Sequence, residues 1–241
     1  MGDPVGSKGP ARRVLVVLAH PDDPDFFCGG TVARWSSEGN EITYCLLTRG
    51  DKGSDDDRIP PEELAVIRAA EQREAARRLG VADVFFLNEL DGYVAPTVEL
   101  RRDIVRVVRT VRPDVVITSD PTNFFPSNRF NHADHRAAGQ VTLDAVYPAA
   151  RSALYFPELG KNEGLKPHKV KEVYVAGAQH PNTTIDITDF FERKLLALRA
   201  HGSQIKDIEA LEIRLRANMT DPESPPDSPR IIERFRRIEL R

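Results

Sequence analysis

Two short clusters in this 241-residue chain combine imidazoles with carboxylates at spacings that suit a divalent metal: His20-Pro21-Asp22-Asp23 and His132-Ala133-Asp134-His135. The first follows the apolar run Val14-Leu15-Val16-Val17-Leu18-Ala19, where a buried strand hands over to a loop. That loop offers one imidazole and two carboxylates, enough to bind a metal while one carboxylate stays free for proton transfer. In the second cluster, His132 and His135 are three apart, so on a first helical turn they share a face and reach into one cleft. Three protein ligands with an open fourth position is the arrangement of a catalytic zinc, and a mixed imidazole and carboxylate set suits that ion. Zinc acidifies water towards neutral pH, and a carboxylate that does not bind the metal then takes the proton. Each cluster alone has an ordinary explanation. A pair of histidines on a helix is commonly surface or core, and Asp-Asp after a strand is commonly a turn or cap. Two such clusters on one sheet edge are harder to assign to packing.

The elements that must position these residues follow from periodicity. Residues 14–19, 41–48, 83–87 and 114–118 are short, β-rich and bounded by turn residues, and they alternate with helical patterns at 29–38, 61–79 and 97–111. In the second helix Leu64, Ile67, Arg68, Glu71, Ala75 and Leu79 keep helical spacing, and Gly80 stands at a stop position. A further helix is predicted from Asn131 or His132 to Val146, strands at 170–176 and 183–187, and a helix over 188–201. Residues 149–169, with Pro157, Gly160 and Pro167, read as a loop over the site, and 218–230, with four prolines, as extended. Strands apolar throughout and alternating with helices indicate a parallel sheet covered on both faces. Ligands of open parallel sheets gather beyond the carboxyl ends of the strands, which is where both clusters emerge.

Composition narrows the function classes. A net charge of −3 gives no reason to expect nucleic acid or an anionic membrane as partner, and the Arg residues interleave with Glu along helices. Cys28 and Cys45 sit in apolar segments, match no metal spacing and read as reduced core residues of a cytoplasmic protein. The first apolar run is too short for a signal-peptide core or a membrane span. One domain is the economical reading: an arm over 1–12, a domain over 13–205, and a C-terminal helix with an extended tail over 206–241 packing on it. A homo-oligomer is compatible with the sequence.

The sequence resembles the LmbE-like (PIG-L) family of zinc-dependent N-deacetylases. The resemblance rests on Ala19-His20-Pro21-Asp22-Asp23, Gly29-Gly30-Thr31 and His132-x-Asp134-His135, with support from Leu47-Thr48-Arg49-Gly50-Asp51, Ile67-Arg68-Ala69-Ala70-Glu71, Leu90-Asp91-Gly92, Asp186-Ile187-Thr188 and Lys194-x-x-Ala197-Leu198-x-x-His201. It covers roughly residues 13–205 and implies a single-domain, Rossmann-like α/β fold with a mostly parallel sheet and helices on both faces. It also implies zinc (Fe2+ being an alternative occupant) held by His20, Asp23 and His135, with Asp22 as general base. His132, as an imidazolium, would stabilise the oxyanion, Asp134 would orient the His132 ring, and Arg68 and Asp91 would meet polar groups of the substrate. The division is chemically sound, because a metal-bound carboxylate is a poor base and a free neighbour a better one.

The activity so implied is removal of an acetyl or other acyl group from the amide nitrogen of a small molecule, an N-acetylglucosamine-type amino sugar or its conjugate. The rivals are an amidase acting on a non-sugar metabolite and a metal-binding module without turnover. One departure stands out. Many relatives have Glu directly after Asp-Asp, whereas this chain has Pro24 and then Asp25, which reads as a cap before Phe26 and Phe27. His201 reads as a helix C-terminal residue and not as a ligand. The stretch 121–130, with Phe124, Phe125 and Phe130, is expected near the mouth of the site.

Overall fold

A computed structural model of the protein describes residues 10–126 and 128–241. Most of the arm expected over 1–12 lies outside the described residues; Arg12 is held by an ion pair from its Nη2 to Glu172 (2.5 Å). Seven strands form one sheet in the order β3-β2-β1-β4-β5-β7-β6. They are β1 (Arg13–Leu18), β2 (Glu41–Thr48), β3 (Asp83–Glu89), β4 (Val115–Ser119), β5 (Glu172–Ala176), β6 (Thr183–Asp186) and β7 (Ile232–Glu239). The first five pair in parallel, and β7 runs antiparallel to both β5 and β6.

The unbroken apolarity of β1 has a direct cause, because both of its faces are covered. Val14, Val16 and Leu18 join a core with helix α1 (Asp23–Ser37), α2 (Pro61–Leu79) and α6 (Phe191–Leu198). Leu15, Val17 and Ala19 join a second core with α3 (Val98–Val111) and α4 (Ala133–Asp144). The fold is therefore the α/β arrangement expected, with a mostly parallel sheet and helices on both faces. Among the described residues, no helix is long and apolar enough to cross a membrane.

Three segments differ from the sequence expectation. Helix α1 begins at Asp23 and not at residue 29, with Pro24 in its first turn and non-helical angles at Cys28 (φ −146°, ψ 16°), so the expected helix is its second half. The two halves meet where Gly30 lets α1 lie against Ile187; a Cβ there would overlap that side chain. The excursion over 149–169 contains a short helix, α5 (Pro157–Glu163). After α7 (Ile208–Met219), the C-terminal tail supplies strand β7 inside the sheet. Its sequence, Ile232-Glu-Arg-Phe-Arg-Arg-Ile-Glu239, is too charged to read as a core strand, yet Phe235 is fully buried and Glu233 is buried in an ion pair.

Candidate active site

Both clusters emerge beyond the carboxyl ends of β1 and β4, the central parallel pair. His20 leaves β1, Asp23 opens α1, and His132 caps the N-terminus of α4, its Nδ1 accepting the Asp134 backbone N–H (3.2 Å). The structure brings His20, Asp23 and His135 together. His20 Nδ1 faces His135 Nε2 at 3.3 Å, and the Asp23 carboxylate spans both, with Oδ2 3.3 Å from His20 Nδ1 and Oδ1 3.0 Å from His135 Nε2. Zinc with ligand bonds near 2.0–2.2 Å spaces tetrahedral donors about 3.3–3.5 Å apart, so this trio fits the ion.

The electrostatics agree with a cation at this point. Burial lowers the His20 pKa, but Asp134, Asp23 and Asp91 outweigh it and raise it to about 12. Burial pushes Asp23 up, yet the charge and hydrogen bond of His135, with those of His20, hold it far below the usual carboxylate range. His20 and Asp23 are both buried. On the far side of the His20 ring, Nε2 meets Asp134 Oδ2 (3.1 Å) and Asp91 Oδ1 (3.2 Å). These carboxylates hold a proton on Nε2, so a metal at the trio would take the place of the Nδ1 proton, which is how an outer carboxylate fixes the tautomer of a metal-binding histidine.

That contact changes two expected roles. The Asp134 carboxylate does not orient the His132 ring; it serves His20 and accepts the backbone N–H groups of Gly92 (2.7 Å) and Val94 (3.3 Å). The reason is helical geometry, since Asp134 in the first turn of α4 points towards β1 while His132 is the cap. Asp91, expected against substrate, is buried, with Oδ1 on His20 and Oδ2 accepting the Lys52 N–H (3.3 Å). His132 has a ring nitrogen within 4.8 Å of those of His20 and His135. Its Nδ1 is taken by the helix cap, which places its proton on Nε2. Burial and the neighbouring His20 and His135 hold its pKa below the ordinary histidine value, and with Nδ1 on the cap its Nε2 is the nitrogen open to the site.

Asp22 stands beside the trio. Burial and the Asp23 charge push its pKa up to about 7. Its backbone has φ 85° and ψ −31°, a conformation costing a non-glycine residue about 1–3 kcal/mol. Arg68 was expected at the substrate. It is instead buried, donating to Pro21 O (2.8 Å), Gly50 O (3.1 Å) and Asp22 Oδ2 (3.3 Å). Gly50, at φ 68°, leaves room for that guanidinium, which a Cβ would strike.

Sequence reasoning missed the polar cluster behind α1. Asp25 is no cap: fully buried, its Oδ2 accepts from Gln72 Nε2 (2.9 Å) and His201 Nε2 (2.8 Å). His201 lies just past the end of α6, as expected of a C-terminal residue, but its ring is fully buried. Beside it Lys194 Nζ donates to Glu233 Oε1 (2.8 Å), Asp25 O (2.8 Å) and Phe26 O (2.7 Å). A cavity of about 330 Å³ opens onto His132 and His135, lined also by Phe27, Asp120, Asn123, Arg129, Phe130 and Asn131. Phe130 lines it and is exposed, the exposed Phe125 ring lies 5.8 Å from Phe130, and the Arg136 guanidinium covers Phe124 at 4.4 Å.

Comparison with known proteins agrees with the sequence resemblance. The family model described as "GlcNAc-PI de-N-acetylase" (PIG-L) matches residues 15–146. A diacetylchitobiose deacetylase of Thermococcus kodakarensis is 35% identical over 199 residues, which cover 81% of this chain and 71% of that protein. A 1D-myo-inositol 2-acetamido-2-deoxy-alpha-D-glucopyranoside deacetylase of Streptomyces avermitilis is 29% identical, covering 82% of this chain and 84% of its own. Among solved structures, the N,N'-diacetylchitobiose deacetylase of Pyrococcus horikoshii superposes with a TM-score of 0.82 at 30% identity, covering 95% of this chain and 85% of that one. With the motifs, the fold and the donor trio in agreement, the chain belongs to the PIG-L (LmbE-like) family of de-N-acetylases.

Proposed function

We propose that this protein is a zinc-dependent hydrolase that removes the acetyl group from the amide nitrogen of an N-acetylglucosamine-type amino sugar or its conjugate. One observation carries the reading: a second carboxylate, Asp22, held by Arg68 and next in sequence to Asp23, adjoins a donor trio spaced for zinc, with the His132 imidazole next to it. The relatives' names supply the substrate class, since they act on acetylated amino sugars.

His20 Nδ1, Asp23 and His135 Nε2 would hold the metal. When bound, zinc supplies Lewis acidity towards water and the amide carbonyl. Asp22 Oδ2 is engaged by Arg68, so Oδ1 takes the proton of the attacking water and returns it to the departing amine nitrogen. His132 Nε2–H donates to the oxyanion that develops on the carbonyl oxygen, the task of a preorganised donor in a site closed to water. Asp134 and Asp91 keep the His20 tautomer, and Arg68 acts on the Asp22 turn from within the protein. The aromatic mouth formed by Phe125 and Phe130 offers a flat apolar face to a sugar ring.

The test is zinc content together with acetate release from N,N'-diacetylchitobiose and from a panel of non-sugar N-acetyl compounds. Asp22→Ala should keep zinc and lose about 10²–10⁴-fold in kcat, and His20→Ala should lose zinc. A zinc-loaded wild type that releases acetate from none of these compounds would make the protein a binding module. Release from the non-sugar panel alone would make it a different amidase. Loss of zinc in Asp22→Ala with turnover intact after reloading would reverse the roles of Asp22 and Asp23.

A further inference from the structure

His20-Pro21-Asp22-Asp23 is a β-turn: the Asp23 N–H reaches His20 O (3.3 Å), with Pro21 and Asp22 at its centre. Asp22 at φ 85° makes it resemble a type II turn, which ordinarily wants glycine at that position. The type I alternative, which suits Pro-Asp without strain, differs by a flip of the Pro21–Asp22 peptide plane. That plane is gripped at both ends by one helix. Arg68 donates to its carbonyl oxygen (2.8 Å), and Gln72 Oε1 accepts its N–H (2.7 Å). The two side chains are four residues apart on α2 and therefore share a face. Gln72 is fully buried, and its amide can face only one way. Its Nε2 donates to Asp25 Oδ2, an oxygen also held by His201, so its carbonyl oxygen is left for the Asp22 N–H. A flipped amide would set donor against donor and acceptor against acceptor.

We propose that Gln72, its amide orientation fixed by the buried Asp25–His201 pair, is a positioning residue that holds the Pro21–Asp22 peptide in the strained turn and so aims the Asp22 carboxylate. The inference rests on the proposed role of Asp22 as proton acceptor. It assigns a purpose to Asp25, two residues past the Asp-Asp pair, and to a histidine at the far end of the domain. It also accounts for the tolerance of Pro24, whose missing N–H the clamp does not use.

Gln72→Met keeps the shape and removes both hydrogen bonds. In the zinc-loaded enzyme it should lower kcat about tenfold or more with KM within about twofold. Zinc stoichiometry should stay unchanged, and its crystal structure should show the Pro21–Asp22 peptide flipped, with φ of Asp22 negative. If that variant does not fold, a second pair decides. Gln72→Glu faces Asp25 with a like charge and should lose turnover. Gln72→Glu with Asp25→Asn exchanges donor and acceptor across that contact, with His201 accepting on Nε2 in its other tautomer, and should recover most of it. The proposal is overturned by a Gln72→Met enzyme with kcat within about twofold of wild type. A native peptide orientation despite lost turnover, zinc lost in step with turnover, or a double variant no better than Gln72→Glu would also overturn it. An active Asp22→Ala enzyme would instead remove the base assignment, whereas inactive Asp22→Ala beside fully active Gln72→Met would remove the clamp alone.

Discussion

Asp23 and Asp25 sit on the same turn of α1 and face opposite ways, into two buried polar clusters of similar size. Asp23 meets two imidazole nitrogens that also face each other, with further carboxylates behind His20. Asp25 meets donors, Gln72 and His201, and the adjacent Lys194 and Glu233 complete each other. In the second cluster each named donor points at an acceptor, while Asp25 Oδ1 and His201 Nδ1 are left without a partner. In the first, two imidazole nitrogens and a carboxylate converge on one point at the spacing of metal ligands. Burial therefore does not mark the functional cluster, since both are buried; convergence of imidazole and carboxylate atoms on one point does.

The contrast can be broken from either side. His135→Ala should abolish zinc uptake and turnover while moving the melting temperature of the metal-free protein by no more than about 4 °C, measured by metal analysis and calorimetry. A larger loss of metal-free stability would mean the trio is structural. Lys194→Met should act in reverse. It strands the buried Glu233 carboxylate, so denaturant unfolding should show a loss of about 3–5 kcal/mol, with zinc stoichiometry preserved in the folded fraction. An unchanged stability would show that the Gly30 and Thr31 N–H groups suffice for Glu233.

The smallest effect lies away from both clusters, where Arg12 and Arg237 pair with Glu172 and tie the chain's two ends to β5. Burial pushes the Glu172 carboxylate up, but hydrogen bonds from Arg237 and Arg12 outweigh it and hold its pKa below the usual value of 4.5. A depressed carboxylate contributes stability that is fully present well above pH 4.5 and is lost as pH falls through the folded-state value. Arg237→Ala should therefore lower stability slightly at pH 7 and flatten the acid limb, the difference from wild type vanishing once Glu172 is protonated. An unaltered acid limb would show that the pair is idle.

Much of the fold was legible because burial on two faces forces a simple pattern. The strands at 14–19 and 114–118 and the helix ending at Gly80 follow from apolar runs and a left-handed stop residue. Strand β7 was not legible, because its Arg and Glu residues are matched by partners distant in sequence, and a charged strand reads as a tail. In the site, the ligand candidates were visible as residue types, but Asp134, Asp91 and Arg68 were assigned to the wrong neighbours. Each of these is turned inward by a partner from another segment: His20 for the two carboxylates, the Pro21 carbonyl for the guanidinium.

The sequence by itself determined the class of sheet, the edge on which the two clusters emerge, and the donor types available for a metal, because these depend on local period and residue chemistry. Only the tertiary structure decided which carboxylate serves which histidine, that His132 Nδ1 caps α4, and that Gln72 and Arg68 grip one peptide plane. Those choices turn on contacts of a few ångströms between residues up to a hundred or more positions apart, and on the loss of water around them, which raises the cost of every unmatched polar group.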